Sequence, residues 1–324
     1  MIRSSLLALC AALQVCYAAS PIKTPEQSIT DTGWRLVRAV PEGNVVVSPF
    51  SVWSALGMAH AGAAVDTASE IASALSAPND NTFFSLHTAK LQTVFSQNKD
   101  SRLQLHSANR IWVQQDLALE PLFVSTLQKQ FHSSMGLVSF RNDAEASRQH
   151  INRWVEQQTK QRIKDLLPPD SVGPNSALVL TNALYLNAPW THAFKAELTK
   201  SEAFQLGGKR TQQVPFMKQR MDALIGKIGT GANAATVCEL PYAEGQLKMV
   251  IYIPDRVNGL NAMLAKLEHA KPNLTMQTVQ LSLPKWKAEQ SLNLKQTLQK
   301  LGMHKAFDRR QANFSGMHAD NDLF

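Results

Sequence analysis

A nearly continuous apolar run, ALVLTNALYL at residues 177–186, constrains the fold more than any other segment of the sequence. Apolar residues at successive positions of a strand are buried on both faces, so this run predicts a central strand with structure packed above and below it. A single amide, that of Asn182, interrupts the run. It needs hydrogen-bond partners there, because a buried amide without them costs about 1–3 kcal/mol.

Three further segments predict helices. Residues 51–63, SVWSALGMAHAGA, are small or apolar on every side and predict a helix that is buried all round. The next segment offers Asp66 or Thr67 as an N-cap and places Glu70 three residues after Thr67, the spacing of a capping box, which predicts that a helix begins there. Residues 151–170 predict an amphipathic helix that continues until Pro168 stops it.

Strand patterns are mixed with these helices in no strict alternation, which predicts an α+β fold. A β-branched run at residues 44–50 and an alternating run at residues 102–114 each predict a strand. Residues 237–254 predict a hairpin whose turn is AEGQ, and residues 279–286 predict another strand. No internal repeat and no Pro/Gly/Ser-rich linker divides the chain, so we expect a single domain over residues 19–324.

The first eighteen residues have the composition of a secretory signal peptide. Arg3 gives a positive start, a short apolar run follows, and small residues precede a cleavage site before Ala19. The apolar run is too short to cross a bilayer, and no later run approaches the roughly 20 apolar residues that a membrane helix needs. The sequence therefore predicts a signal peptide over residues 1–18 and a secreted, extracellular protein without a membrane anchor.

The cysteines leave no pair for an internal disulfide in such a protein. Cys10 and Cys16 lie in the predicted signal peptide, so Cys238 is left alone. It lies in an alternating run, ATVCELPY, where we expect a buried strand residue rather than a reactive thiol. Stability then depends on a hydrophobic core, which a chain of about 300 residues is long enough to build.

Surface chemistry gives little information about partners and modifications. The formal net charge is +8, but the basic residues are spread along the chain and form no nucleic-acid recognition motif. A sulfated glycan is a candidate partner, although the region of Lys90, Lys99 and Arg102 is only sparsely basic. Two sequons, NLT at Asn273 and NFS at Asn313, are candidate sites of N-glycosylation.

The residues that perform chemistry in enzymes show no catalytic pattern here. The chain contains no G-x-S-x-G elbow, no H-E-x-x-H metal motif, no P-loop and no dinucleotide fingerprint. Its histidines are scattered without the spacing of metal ligands, and paired carboxylates such as Asp143 and Glu145 lie in polar loop sequence where they are solvated. We therefore expect no enzyme activity, no cofactor and no metal site.

The polar residue inside the apolar run is a more informative candidate. Ser48 and Ser51 flank the SPFS segment between a predicted strand and a predicted helix, and their hydroxyls are of the kind that Asn182 needs. By polarity alone, this set indicates an ordinary core network in which every hydrogen bond is satisfied.

Six segments, taken in order, resemble the serpin family. They contain the motifs SPFS, LTNALYL, NAPW, VPFMK, LPKW and FSGM and lie at residues 44–71, 151–168, 178–195, 214–220, 237–255 and 283–317. Each segment alone is moderately specific, but six in family order are highly specific, and together they cover essentially the whole chain after the signal peptide.

The resemblance implies the serpin fold, in which three β-sheets are combined with eight or nine helices. It also implies a monomer that inhibits a serine or cysteine protease. In the family mechanism the protease cleaves a reactive-centre loop, becomes acyl-linked to it, and is moved across the inhibitor as the loop inserts into the central sheet. The protease supplies the nucleophile, so the inhibitor needs no catalytic residue.

Site residues follow from the resemblance by motif. Ser48, Ser51 and Asn182 resemble the shutter, a polar cluster beneath the point where the central sheet opens. Trp190 in NAPW and Lys285 in LPKW resemble residues of the breach, where insertion of the loop starts.

Two positions depart from the family pattern. Gln161 stands where a glycine is common, which we expect only to stiffen a helix. Trp53 stands where a small residue is usual, so we expect local repacking around it. Neither departure changes the family assignment.

The resemblance also implies segments that we do not find in the sequence. After ANFSGM and a polar connector, the family continues with a central-sheet strand that begins like Leu323-Phe324, and then with the reactive loop and the last core strands. We therefore expect a C-terminally truncated serpin that lacks its reactive-centre bond and does not inhibit by itself. An incomplete sequence of a secreted inhibitor is the first hypothesis, and a non-inhibitory secreted binding or carrier protein is the second.

Overall fold

The structure, a computed structural model, describes most of the chain. The described residues are 23–40, 43–84, 102–206, 210–243, 245, 247–267, 272–288, 290 and 292–320. The predicted signal peptide, Lys90, Lys99 and the Leu323-Phe324 pair lie outside them. Within the described ranges, no helix combines the length and the apolar composition that crossing a membrane requires.

Helices occur at both ends and in the middle of the described chain. They include α1 (Pro25–Ala39), α2 (Pro49–Gly62), α3 (Val65–Ala74), α4 (Pro121–Gln130), α5 (Ala144–Gln158), α6 (Leu260–Leu264) and α7 (Lys295–Lys300). A capping box formed by Thr24 and Gln27 begins α1. Gly302, with φ of 97°, lies just beyond the end of α7 and stops that helix.

The described strands form two hydrogen-bonded sheets. They are β1 (Gln104–Gln114), β2 (Ser134–Val138), β3 (Leu178–Asn187), β4 (Lys200–Gln205), β5 (Thr211–Ile228), β6 (Ala235–Pro241), β7 (Lys248–Pro254) and β8 (Asn273–Pro284). The first sheet has the order β2-β1-β3, with β1 parallel to β2 and antiparallel to β3. The predicted strands at residues 102–114 and 177–186 are therefore confirmed as β1 and β3.

The long strand β5 connects the two halves of the second sheet. Its first half pairs with β4 and its second half with β6, while β8 runs along its other side for most of its length. β6 and β7 form the predicted antiparallel hairpin, with Cys238 opposite Ile251. The resemblance implies three sheets, whereas the described strands form two. The difference arises because β5 pairs with β4 at one end and with β6 at the other, and so joins into one sheet the strands that would otherwise form two.

The first sheet is packed on both faces, as the apolar run predicts. On one face, Ile111 and Val113 of β1 lie in the main core with Trp53 of α2. On the other face, Trp112 packs in a separate cluster with Ile151 of α5. Because neighbouring residues of a strand point to opposite faces, this alternation places α2 and α5 on opposite sides of the sheet.

Helix α2 is packed all round, in agreement with its composition. Trp53 and Met58 are completely buried. The bulky Trp53 is accommodated because its indole Nε1 donates a hydrogen bond of 2.9 Å to the hydroxyl of Ser28, and its ring lies 4.9 Å from that of Phe84. The expected local repacking therefore consists of a hydrogen bond to Ser28 on α1 and a ring contact with Phe84.

The prediction of one helix over residues 151–170 is wrong in its length, because α5 ends at Gln158. The hydroxyl of Thr159 accepts a 3.1 Å hydrogen bond from the amide of Ile163 and so stabilises a turn there. Gln161 follows with φ of 62°, in the left-handed region that favours glycine. The expectation that Gln161 only stiffens a helix is therefore wrong, since this residue lies outside the helix.

The capping box predicted at Thr67 and Glu70 is not formed. Helix α3 begins earlier, at Val65, and no side chain caps it. The hydroxyl of Thr67 instead accepts a 2.9 Å hydrogen bond from the amide of Asn313. The Oε2 of Glu70 accepts two hydrogen bonds of 2.7 Å from consecutive amides in the segment 304–313. Both side chains therefore make long-range contacts in place of the local ones.

The strand predicted at residues 44–50 is also wrong. Residues 44–48 have no regular structure, and Pro49 already begins α2. The amide of Val46 donates to the side-chain Oε1 of Gln290 at 2.7 Å. A β-branched run becomes a strand only when a neighbouring strand satisfies its backbone, and none of the described strands pairs with this one.

Candidate functional site

Two amides on neighbouring strands form the centre of the candidate site. Asn109 on β1 and Asn182 on β3 are directly opposed in register, and the Nδ2 of Asn182 donates to the Oδ1 of Asn109 at 2.7 Å. The Nδ2 of Asn109 donates to the carbonyl of Phe131 at 3.0 Å. Ser54 of α2 donates from its hydroxyl to the same Oδ1 of Asn109 at 3.4 Å. We call this set, Ser54, Asn109, Asn182 and the Phe131 carbonyl, the amide cluster.

The amide cluster lies in the core beneath the sheet. Ser54 is 1% exposed and Asn109 is 7% exposed. Hydrogen bonds in such surroundings are strong, and an unpaired polar group there is costly. Their donors and acceptors are directional and exchangeable, whereas an interdigitated apolar seam resists sliding. The cluster therefore joins β1 to β3 through contacts that can be broken and replaced.

One atom of the amide cluster is incompletely satisfied. The Oδ1 of Asn182 is buried and accepts no hydrogen bond from the described residues. The donation from Asn109 to Phe131 fixes the orientation of the Asn109 amide, so Asn182 must present its Nδ2 to Asn109 and its Oδ1 elsewhere. The cluster thus contains a buried acceptor that can receive one more hydrogen bond.

The two predicted serines make a local contact. Ser48 is the N-cap of α2, and its hydroxyl accepts a 3.1 Å hydrogen bond from the amide of Ser51. Such a cap stabilises a helix by about 1 kcal/mol. In the described part of the chain, no hydrogen bond joins either serine to the amide of Asn182. The shutter role of Ser48 and Ser51 stays a prediction.

Sequence reasoning missed Asn109 and Ser54. Ile111 and Val113 identify the inward face of β1 by alternation, and Asn109 lies on the same face. A polar residue at an inward position was therefore visible in SANRIWV. Ser54 lies one helical turn after Ser51 and reaches deeper beneath the sheet.

A second group of contacts lies just beyond the end of β3. The ring of Trp190 stacks on that of Tyr242 with centroids 4.6 Å apart and planes inclined by 18°. Their backbones form an isolated bridge, and the hydroxyl of Thr191 donates to the Tyr242 carbonyl at 2.8 Å. Burial raises the pKa of Tyr242. These contacts fix the end of β3 against the second sheet, where the resemblance places the breach.

Lys285 lies beside the contacts of Trp190, but its side chain is exposed to solvent. It directly follows β8, it is exposed, and its amide donates to the carbonyl of Pro215 at 2.8 Å. Leu283, two residues earlier, packs in the apolar cluster that includes Trp190. The structure therefore places Lys285 at the edge of this region, and its breach role stays a prediction.

The face of the sheet opposite the amide cluster is covered by α5. The guanidinium carbon of Arg110 lies 4.3 Å from the ring centroid of Trp112 and 5.6 Å from that of Trp154 on α5. The Nε of Arg110 is buried and makes no hydrogen bond to the residues that the structure describes. Gly136 makes room for this guanidinium, because a Cβ at that position would lie 2.9 Å from Arg110 Nε.

The first turn of α5 is fixed by an ion pair. Arg148 donates to both carboxylate oxygens of Glu145 at 2.7 and 2.6 Å, and to the carbonyl of Leu167 at 2.6 Å. Hydrogen bonds from Arg148 and then from Gln149 lower the pKa of Glu145 to about 2. The segment that follows α5 is thereby attached to the helix that covers the sheet.

The described residues contain no group of three or more His, Cys, Asp or Glu side chains that could bind a metal ion. Cys238 is a buried residue of β6, as predicted, and burial raises the pKa of its thiol. The amide cluster consists of two amides, one hydroxyl and one carbonyl. Groups of these kinds suit hydrogen bonds that hold strands together rather than proton transfer.

Comparison with known proteins identifies the family. A family model described as "Serpin (serine protease inhibitor)" matches residues 28–324. The leukocyte elastase inhibitor of Xenopus tropicalis is 36% identical over 293 residues, which are 87% of this chain and 76% of that protein. Iris of Ixodes ricinus is 34% identical over 289 residues, covering 87% of this chain and 74% of that protein.

Solved structures show the same fold. The structure described as "Cleaved Serpin 42Da" has a TM-score of 0.81 at 32% identity and covers 90% of this chain and 79% of that one. Ovalbumin from emu, Dromaius novaehollandiae, has a TM-score of 0.84 at 25% identity and covers 92% of this chain and 82% of that one. The α+β serpin fold that the resemblance implies is confirmed, and the chain belongs to the serpin family.

Proposed function

We propose that this serpin is a secreted inhibitor of a serine-type endopeptidase and acts as a suicide substrate whose cleaved reactive loop inserts beside β3. The observation that carries the proposal concerns the side of β3 that faces away from β1. Along its length β3 pairs with β1, and no described strand pairs with its other side. The unused acceptor of Asn182 lies on this same strand.

A strand edge of this kind favours the addition of another strand. Its N–H and C=O groups have no partner among the described strands, and groups of this kind are a template for main-chain hydrogen bonds with an added β-strand. Loop insertion releases strain that is stored before cleavage. The side of β3 that pairs with no described strand thus supports the proposal that the cleaved loop inserts there.

The amide cluster supports the same mechanism from beneath the sheet. Asn182 lies near the middle of β3, so a strand that inserts beside β3 must pass it. The Oδ1 of Asn182, which accepts no hydrogen bond from the described residues, can accept a donor from the inserted strand.

The relatives support the choice of a first target class. The name of the Xenopus tropicalis relative describes inhibition of leukocyte elastase. We therefore propose elastase-type serine proteases as the first to be tested, with trypsin-type and chymotrypsin-type enzymes beside them. The signal-like residues 1–18 support secretion to an extracellular compartment, and a monomer is proposed. The candidate sulfated-glycan partner stays a prediction, since of its three basic residues only Arg102 lies in the described ranges.

The experiment is a search for a covalent complex. The product of the complete transcript and residues 1–324 alone are each incubated with the three proteases, and the mixtures are separated in SDS. We expect the transcript product to form an SDS-stable complex with one protease at about the sum of the two masses. Protease whose catalytic serine has been chemically blocked is the matched control and must give no complex. Cleavage of the transcript product by every protease without a stable complex would refute the proposal.

A second function, that of a non-inhibitory secreted carrier, is supported by one observation. Emu ovalbumin, whose name describes no inhibitory activity, is among the similar structures. A carrier predicts that residues 1–324 form a soluble monomer that unfolds cooperatively and that no protease is trapped. Aggregated or molten protein would count against it, because association of this kind indicates unpaired strand edges and exposed apolar surface rather than a stable carrier fold.

A further inference from the structure

We infer that Asn273 is an acceptor of an N-linked oligosaccharide when the chain passes through a eukaryotic secretory pathway, and that Asn313 is not. The inference rests on the secretory route in the proposed function and is independent of protease inhibition. The two sequons are equivalent in sequence, but the structure gives them opposite surroundings.

Asn273 presents its side chain to solvent. It is the first residue of β8, where successive residues point to opposite faces. Leu274 points inward and packs in the apolar cluster that contains Met263 and Leu267. Asn273 and Thr275 therefore share the outward face, and both are exposed. The carboxamide of Asn273 makes no hydrogen bond to the described residues, so its Nδ2 is accessible.

The chemistry needs an accessible Nδ2. That nitrogen attacks the anomeric carbon of an oligosaccharide held on a lipid diphosphate, the C–O bond to the diphosphate breaks, and a C–N bond forms while the amide loses one proton. The product is bulky and hydrophilic and belongs on the surface. At Asn273 it extends away from the packed face of β8 and requires no main-chain contact to be broken.

Three polar groups of Asn313 are held by hydrogen bonds. Its amide donates to the hydroxyl of Thr67 at 2.9 Å, and its carbonyl accepts from the amide of Ala64 at 2.9 Å. Its side-chain Oδ1 accepts from the amide of Ser315 at 3.1 Å. The sequon of Asn313 is thus held against the connection between α2 and α3.

The segment that contains Asn313 docks on the main body of the protein. It lines an open pocket of about 280 Å³ together with Asp66 and Lys305, which form an ion pair. The residue after it, Phe314, packs against the main core, and Gly316 donates to the carbonyl of Gly62 at 3.1 Å. A glycan attached before folding would obstruct this docking, so folding and modification compete at Asn313.

The experiment measures glycan occupancy residue by residue. The full chain is expressed in a eukaryotic secretory host behind an exogenous signal peptide, which removes any dependence on residues 1–18, and is treated with peptide N-glycosidase. The variants are N273Q and T275A at one sequon and N313Q and S315A at the other. S315A is the matched control, because it removes the sequon hydroxyl and leaves the three hydrogen bonds of Asn313 in place.

We expect one glycan on the wild-type chain, released by the glycosidase. It should be absent from N273Q and T275A and unchanged in S315A and N313Q, and mass spectrometry should show the Asn313 peptide unmodified. An unglycosylated wild-type chain would overturn the inference, and so would a glycan that survives T275A. Because protease inhibition is not part of the readout, this failure is distinguishable from failure of the proposed inhibition.

Discussion

The Nδ2 of Asn182 on β3 donates a 2.7 Å hydrogen bond to the Oδ1 of Asn109, the residue directly opposite on β1. Asn109 in turn donates to the carbonyl of Phe131, so one amide connects two strands and the end of α4. This relationship makes the contact between β1 and β3 polar near the middle of the sheet.

We predict that N109A lowers the free energy of unfolding by about 1–3 kcal/mol, because it leaves the Asn182 amide and the Phe131 carbonyl unpaired in the core. Urea unfolding at constant m-value measures the change. The double variant N109A/N182A is the control and should cost less than the sum of the two single variants, since the two residues share a bond. Strict additivity would contradict a direct contact between them.

We predict that Q161G stabilises the protein by about 0.5–1 kcal/mol. The φ of 62° at Gln161 is strained for a residue with a Cβ and unstrained for glycine. The matched control is Q157G, the same substitution inside α5, which should destabilise by about 1 kcal/mol. Thermal unfolding of both variants gives the comparison. Destabilisation of similar size by both would show that Gln161 is helical after all.

We predict that G136A destabilises by about 1–3 kcal/mol through overpacking. The added Cβ would lie 2.9 Å from Arg110 Nε and also 2.9 Å from Trp112 Cε3, so the guanidinium must leave its position against the Trp112 ring. Urea unfolding measures the loss, and fluorescence of Trp112 and Trp154 reports the displaced cation. G173A is the control, because a Cβ at Gly173 meets nothing within 4 Å. Equal effects of the two substitutions would argue against a tight contact between Gly136 and the Arg110 guanidinium.

We predict a pH-dependent contribution from Glu145. Its pKa falls from an ordinary value of 4.5 to about 2 in the folded protein, so its ionised form stabilises the fold above pH 4.5. That stabilisation is lost as the pH falls from 4.5 toward 2. The melting temperature of E145Q should therefore lie below that of wild type at pH 7, and the gap should narrow from pH 4.5 to pH 3. A gap that is constant over this range would contradict the assignment.

Much of the fold could be predicted because its signals are local. The all-round apolar composition of α2, the alternation in β1 and the β6–β7 hairpin each follow from a few neighbouring residues. The segment at residues 44–50 shows the limit, since a β-branched run needs a neighbouring strand and the sequence does not say whether one is present.

The candidate site was only partly predictable, for a related reason. Asn182 was found because it interrupts an apolar run, but its direct partner lies 73 residues away on another strand. Glu70 and Thr67 have the spacing of a local cap and are used instead for contacts more than 230 residues away. Distant partners of this kind depend on the tertiary arrangement, which periodicity does not encode.

Hydrogen exchange of the β3 amides tests the central claim most directly. The product of the complete transcript is incubated with the protease proposed as its target, and exchange over Leu178–Asn187 is compared before and after cleavage. We predict that the β3 amides directed away from β1 gain protection on cleavage, because an inserted strand pairs with them. Exchange that is unchanged by cleavage would contradict insertion beside β3.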